Sequence, residues 1–226
     1  MNTVQHSIGQ LKRETHFEFA FRLRQSLSVP PKRCVLLLHG VGGNEMNLAS
    51  LASEIAPDTL VVLPRGPLQF AENQFGWFRV AFTAAGPSIV LAEAEESRLG
   101  LIRFVEQIQS AYGIDPPNTV IAGFSQGGVL SASVALSAPE RVGGFSILSG
   151  RILPELEPHL ASTARLTQLR AFIGHGEYDS KLPVVWSQRA EQLLNELGVA
   201  HVTRRYPIDH GISDAMQVDF LAWLGK

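Results

Sequence analysis

The stretch from Asn118 to Pro139 admits few arrangements. Asn118 is a turn former, and Thr119-Val120-Ile121-Ala122 continues as a short, β-branched apolar run, the pattern of a parallel strand buried on both faces. Gly123-Phe124-Ser125-Gln126-Gly127 follows at once, and Gly128 to Ser137 then carries Val129, Leu130, Ser133, Val134, Leu136 and Ser137 at mixed spacings of three and four. A strand that passes through Gly-x-Ser-x-Gly directly into a helix must turn sharply. The two glycines suit a place where the backbones come so close that a Cβ would collide. Such a turn lifts the Ser125 hydroxyl clear of the sheet, and the first amide N–H groups of the helix point back at it, an environment that favours the negative charge of an acyl-transfer intermediate. A plain small-residue turn is the alternative, and the strand and helix patterns on either side argue against it.

The whole chain sets limits on what surrounds this unit. Its 226 residues, 45% of them apolar, suit one domain over 1–226 with a core on both sides of a sheet, and residues 1–10 read as a flexible leader. Charged residues make up 18% and the formal net charge is −2, so no basic field exists to attract nucleic acid. No apolar run approaches the roughly 18 residues of a membrane span. The single cysteine, Cys34, cannot form an internal disulfide, and the polar N-terminal stretch lacks the apolar segment of a signal peptide. These features point to the reducing cytoplasm. Oligomeric state is not legible, a homodimer being the assembly considered.

In chain order, Phe17, Phe19, Phe21 and Leu23 alternate with polar or small residues, which predicts an edge strand, antiparallel to its neighbour. Cys34 to Leu38 is the first fully buried strand, Glu45 to Ala56 its crossover helix, and Thr59 to Leu63 the next strand. Pro64 to Pro87 is read as an irregular connection with five aromatics, Phe70, Phe75, Trp77, Phe78 and Phe82, a supply of apolar surface for a pocket or a satellite core. A long helix is predicted from Ser88 to Tyr112. Gly144 to Leu148 and Leu169 to Ile173 read as strands, Pro183 to Leu197 as a helix closed by Gly198, His201 to Tyr206 as a strand, and Ser213 as the N-cap of a last helix. Strand and helix alternate, so the class is α/β with a mostly parallel sheet.

In such sheets the reactive groups gather at the carboxyl ends of strands, and three more strand ends carry chemistry. After Leu38 comes His39-Gly40-Val41-Gly42-Gly43, whose glycines let the backbone wrap close to Ser125, with the Val41 N–H and the Gln126 N–H as paired oxyanion donors. A phosphate loop is the competing reading, but the Lys and Ser/Thr of a nucleotide loop are missing. After Ile173 comes Gly174-His175-Gly176-Glu177-Tyr178-Asp179, where Asp179 could hold a histidine in one tautomer. After Tyr206 comes Asp209-His210-Gly211, with His210 the candidate general base and Asp209 a rival for the role of Asp179. No His-Glu-x-x-His spacing suggests a metal, and no cofactor is expected.

Together, His39-Gly40-x-Gly42-Gly43-Asn44-Glu45, Leu63-Pro64-Arg65-Gly66, Trp77-Phe78, Gly123-Phe124-Ser125-Gln126-Gly127-Gly128, Gly176-x-x-Asp179 with Pro183, and His210 resemble the phospholipase/carboxylesterase family that includes the acyl-protein thioesterases, with a glycine loop closer to its bacterial carboxylesterase branch. The resemblance implies an α/β-hydrolase fold with helices on both faces and no large cap domain. It implies a serine hydrolase of small or medium acyl esters, thioesters or lysophospholipids, with Ser125, Asp179 and His210 as the triad and Val41 and Gln126 as oxyanion donors. Trp77, Phe78 and Leu182 are the candidate substrate contacts. A dienelactone-type hydrolase or serine peptidase on the same fold, or a non-catalytic binding module, are the alternatives.

Overall fold

The apolar runs over residues 34–38, 60–63 and 120–122 can be buried only in a layer covered on both sides, and each is a strand. The computed structural model describes residues 7–83 and 86–225, without the side chains of 82–87. In order the chain forms β1 (Phe21–Arg24), β2 (Arg33–Leu38), α1 (Ala49–Glu54), β3 (Thr59–Pro64), β4 (Leu68–Ala71), β5 (Gln74–Gly76), β6 (Val80–Thr83), β7 (Gly86–Ile89) and α2 (Leu91–Tyr112). It continues through β8 (Thr119–Phe124), α3 (Gln126–Ser137), β9 (Gly144–Leu148), α4 (Thr163–Leu166), β10 (Arg170–Gly176), α5 (Val185–Glu196), β11 (Ala200–Tyr206) and α6 (Asp214–Leu224).

Seven strands form one sheet in the order β1-β3-β2-β8-β9-β10-β11, parallel throughout except for β1, which pairs antiparallel with β3 at the edge. Side chains along each strand alternate between two cores. In β2, Cys34, Leu36 and Leu38 face one side while Val35 and Leu37 face the other; in β3, Leu60 and Val62 oppose Val61 and Leu63. Helices α2, α3 and α5 close the first face, α1 and α6 the second. This is the α/β-hydrolase architecture, with helices on both faces. Among the described residues no helix is long and apolar enough to cross a membrane. The chain runs outward in one direction from β2 and in the other from β8, so the switch point lies between these two neighbours, where a crevice opens at their carboxyl ends.

Several boundaries differ from the sequence expectation, each for a local reason. Strand β1 begins only at Phe21: ahead of it the Glu18 N–H is taken by the Gln107 side chain of α2, while Phe17, Phe19 and Phe21 all dock edge-on against Phe104, at 6.2, 5.6 and 5.4 Å between centroids. Helix α1 is shorter than Glu45 to Ala56, since the Asn44 and Asn47 side chains accept hydrogen bonds from the Met46 and Asn44 amides and hold the entry in a turn. Pro64 to Pro87 is not irregular. Among the described residues it holds two antiparallel strand pairs, β4 with β5 and β6 with β7, and β7 takes Ser88 and Ile89 away from the predicted start of α2. Of the leader expected over 1–10, residues 1–6 lie outside the described residues, while Ile8 packs on the second core and the Gly9 N–H donates to the Leu23 carbonyl at 2.8 Å. The Ser213 hydroxyl caps α6 by accepting from the Met216 N–H, as expected.

Packing is very tight at the turn from β8 into α3. A Cβ built on Gly127 would stand 2.1 Å from the Leu38 carbonyl oxygen, and one on Gly123 would stand 2.3 Å from the Gly127 carbonyl carbon. Both obstacles are backbone and cannot rotate away. Gly127→Ala is therefore expected to cost about 3 kcal/mol and to lower the melting temperature by roughly 6–12 °C. Gly211→Ala, where a Cβ meets nothing within 4 Å, should leave the melting curve nearly unchanged. Calorimetry on both variants checks the contrast.

Candidate active site

Ser125 stands where β8 gives way to α3, with φ +53° and ψ −115°, a left-handed conformation that a residue with a Cβ adopts only when its surroundings impose it. Its amide donates to the Leu148 carbonyl at the end of β9, and its carbonyl accepts from the Val129 N–H as the first bond of the helix. The hydroxyl is thereby presented at the top of the sheet. His210, on the turn after β11, brings Nε2 to 3.0 Å from Ser125 Oγ and Nδ1 to 2.8 Å from Asp179 Oδ2. The Phe124 ring lies 5.0 Å from the imidazole, centroid to centroid, and covers one side of it.

Asp179, 5% exposed, sits three residues beyond β10. Its Oδ1 accepts from the Lys181 and Leu182 amides at 2.9 and 2.8 Å, which leaves Oδ2 for the imidazole. Burial alone would raise this carboxyl, but the hydrogen bonds from His210 and the two amides outweigh it and hold Asp179 below the usual aspartate range. Asp209 does different work: Oδ1 accepts from the Ser180 and His210 amides, both at 2.7 Å, so it ties the two loops together from the exposed side.

The glycine loop after β2 curls over the serine. A Cβ on Gly40 would come within 3.3 Å of the Ser125 Cβ, and Gly42 takes φ +76°. The Val41 amide donates to no described residue, and the Gln126 amide is a first-turn donor without an intrahelical acceptor. Four residues brace this loop from below. His39, 1% exposed, donates from Nδ1 to the Gly40 carbonyl and accepts at Nε2 from the Gly66 N–H, and burial holds its pKa low, so the neutral ring is the one that fits. Trp77 Nε1 donates to the His39 carbonyl at 3.0 Å. The Gln126 side chain accepts from the Trp77 N–H at 2.7 Å and donates to the Phe78 carbonyl at 2.6 Å. Finally Glu45, 2% exposed, receives Arg65 through two bonds of 2.6 and 2.7 Å and Arg22 through one of 2.9 Å.

A cleft of about 380 Å³, counting its open mouth, lies against Ser125 and Gln126. Phe78, Val129, Leu153 and Leu182 give it apolar walls, and Arg151 enters from the loop after β9. Phe78 and Leu182, two of the residues expected to contact substrate, line this cleft. Trp77 does not. It is 0% exposed, its ring packs edge-on against Phe19 at 5.4 Å, and its indole is spent on the His39 carbonyl, so it belongs to the core, and to the main core of the first face rather than a satellite one. Phe70 is largely exposed, Phe75 lies under the Arg65 guanidinium at 4.4 Å, and the Phe82 side chain lies outside the described residues. Sequence reasoning missed Arg151, although Ser149-Gly150-Arg151 follows a predicted strand end, and it missed the Gln126 side chain as a brace.

A scan against family models matches residues 25–224 to the model described as phospholipase/carboxylesterase. Acyl-protein thioesterase 1 of Kluyveromyces lactis is 28% identical over 183 residues, covering 76% of this chain and 80% of that protein. The probable carboxylesterase SOBER1-like protein of Arabidopsis thaliana is 28% identical over 223 residues, covering 91% and 81%. Among solved structures, esterase PE8 superposes with a TM-score of 0.80 at 27% identity, over 90% of this chain and 96% of that one.

Two expectations follow from this geometry. Asp179→Asn removes the acceptor for the Nδ1–H and should lower kcat by about 10⁴, whereas Asp209→Asn, which touches no ring nitrogen, should cost less than about tenfold. Steady-state kinetics of the pair tests it, and the reverse ranking would reject Asp179 as the orienting acid. For Glu45, burial would raise the carboxyl, but the Arg65 and Arg22 hydrogen bonds bring it down to about 2, against about 4.3 for an unfolded glutamate. The clamp therefore stabilises the fold fully at neutral pH and loses that contribution as pH falls from about 5 to about 2. Glu45→Gln should lower the neutral-pH melting temperature and flatten its fall over that window; an unchanged acid limb would show the clamp to be idle.

Proposed function

The chain belongs to the phospholipase/carboxylesterase family, and on that premise we propose that Ser125, His210 and Asp179 hydrolyse carboxylic esters of small or medium acyl groups through an acyl-enzyme. The observation that carries this reading is the single imidazole that reaches Ser125 Oγ at 3.0 Å with one nitrogen and Asp179 at 2.8 Å with the other.

In the reaction Ser125 Oγ attacks the substrate carbonyl carbon while His210 Nε2 accepts the hydroxyl proton. The carbonyl oxygen becomes an oxyanion facing the Val41 and Gln126 amides, whose alignment the braces beneath the glycine loop maintain. As the tetrahedral intermediate collapses, the ester C–O bond breaks and His210 returns the proton to the departing alcohol. Water then repeats the sequence: His210 takes its proton, the hydroxide oxygen adds to the acyl carbon, and Ser125 leaves with the proton restored. Asp179 fixes the tautomer and offsets the imidazolium charge in both halves.

Phe78 and Leu182, in the apolar lining of the cleft beside Ser125, support an acyl group lying there. A thioester fits the same chemistry, its thiolate needing less help from His210 to leave. Two further features bear on setting. The net charge of −2 supports a small-molecule substrate with no nucleic-acid partner. Cys34 is fully buried in β2, where desolvation pushes its thiol pKa up, which suits the cytoplasm.

Ser125→Ala should fold normally and lose on the order of 10⁴- to 10⁶-fold in kcat on 4-nitrophenyl butyrate. A fluorophosphonate probe should label the wild type at Ser125 and leave the variant unlabelled. A variant retaining a tenth of the activity would overturn the assignment.

A further inference from the structure

Arg151 is the one charged side chain in the cleft lining, and its surroundings leave it uncompensated. It is 7% exposed, yet its guanidinium makes no hydrogen bond or ion pair among the described residues, and the cleft walls hold no carboxylate. Its guanidinium carbon lies 4.6 Å from the centroid of the Trp186 ring, which also carries the Arg189 guanidinium at 4.7 Å. That contact uses the face of the planar cation and leaves the N–H donors along its edge without acceptors. Burial works against the charge and outweighs the favourable field of exposed Glu155, which makes no ion pair with it. With no carboxylate in the cleft lining, the edge of this guanidinium is left to solvent, which an anionic group entering the cleft beside Ser125 would replace.

The loop that delivers Arg151 is fixed in place. Ser149 takes φ +50°, its amide donates to the Gly174 carbonyl, and its hydroxyl donates to the Gly211 carbonyl, next to His210. Gly150 lies so close to the elbow that a Cβ there would meet the Ser125 carbonyl oxygen at 2.9 Å. Arg151 therefore reaches the cleft from a segment bonded to β10 and to the loop after β11.

We propose that Arg151 is an anion anchor, and that the preferred substrates are esters carrying a carboxylate that pairs with its guanidinium while the ester carbonyl meets Ser125. The inference rests on the esterase reading above and names its substrate class. The free carboxylate could belong to the acyl part, as in a monoester of a short dicarboxylic acid, or to the alcohol part. In either case it would complete the two-pronged bond that Arg151 lacks.

Two substrate pairs separate these sources. Mono-4-nitrophenyl adipate against 4-nitrophenyl hexanoate places the charge on the acyl side, and 4-carboxyphenyl hexanoate against 4-carbamoylphenyl hexanoate places it on the alcohol side. In at least one pair the wild type should prefer the anionic ester in kcat/KM, and Arg151→Met should reduce that ratio by about 10- to 100-fold. Arg151→Lys should restore part of it, which a merely structural loss would not produce. If Arg151→Met fails to fold, Arg151→Gln, which keeps a planar polar end over Trp186, gives the same reading. A wild type without preference in either pair, or a preference that survives loss of the guanidinium, overturns the anchor. Failure of the esterase reading looks different: the neutral hexanoates would then go unhydrolysed or be hydrolysed equally by Ser125→Ala.

Discussion

Backbone meets backbone where β8 enters α3, and the rest of the site depends on that contact. The absence of a side chain at Gly123 and Gly127 brings the first turn of the helix against the end of β2. Ser125 is consequently forced into a conformation it would not choose alone. The strain is held by ordinary secondary-structure bonds, from the Ser125 amide to β9 and from its carbonyl into the helix. Burial of α3 among the apolar side chains of β8 and β9 keeps those bonds from opening. A helix less buried could relax, and the hydroxyl would fall back into the turn.

From that fixed point the sheet supplies the other groups by geometry alone. β9 and β10 separate β8 from β11, and the loops after β10 and β11 lean back toward the centre. Asp179 is held by two amides of its own loop, and Asp209 ties that loop to the segment carrying His210. The imidazole therefore meets two partners that neither share its strand nor depend on its rotamer. Preorganisation of this kind matters because the charges developing during reaction find their dipoles already in place.

On the other side of the serine, polar groups do structural work inside an apolar setting. The glycine loop has little side-chain bulk with which to hold itself. His39, Trp77 and the Gln126 side chain tie it to the hairpin region with hydrogen bonds made away from water, and Glu45 does the same through Arg22 and Arg65. Every one of these buried groups is paired, so each rigidifies the loop without leaving an unsatisfied charge. Arg151 departs from that pattern in the cleft beside Ser125, where a ligand could pair with it.

The sequence by itself determined the strand–turn–helix around Ser125, the two-sided core and the order of the strand-end motifs, because these rest on periodicity and on local turn chemistry confined to a few neighbouring residues. Cys34 to Leu38 had to be covered on both faces whatever lay next to it, and Gly123 and Gly127 had to be glycine wherever that turn packed. Only the tertiary structure decided which residues meet. Trp77 reads the same in sequence whether it lines a pocket or a core, and its indole found the His39 carbonyl. The 64–87 stretch hid two antiparallel strand pairs because short strands with mixed patterning pair through non-local hydrogen bonds that no window of sequence reveals. Asp179 and Asp209 differ in no local signal; the choice fell to the one whose loop brings it across the site to Nδ1. Arg151 looked like any surface arginine, and its want of a partner exists only after β8, β9 and α5 have packed around it.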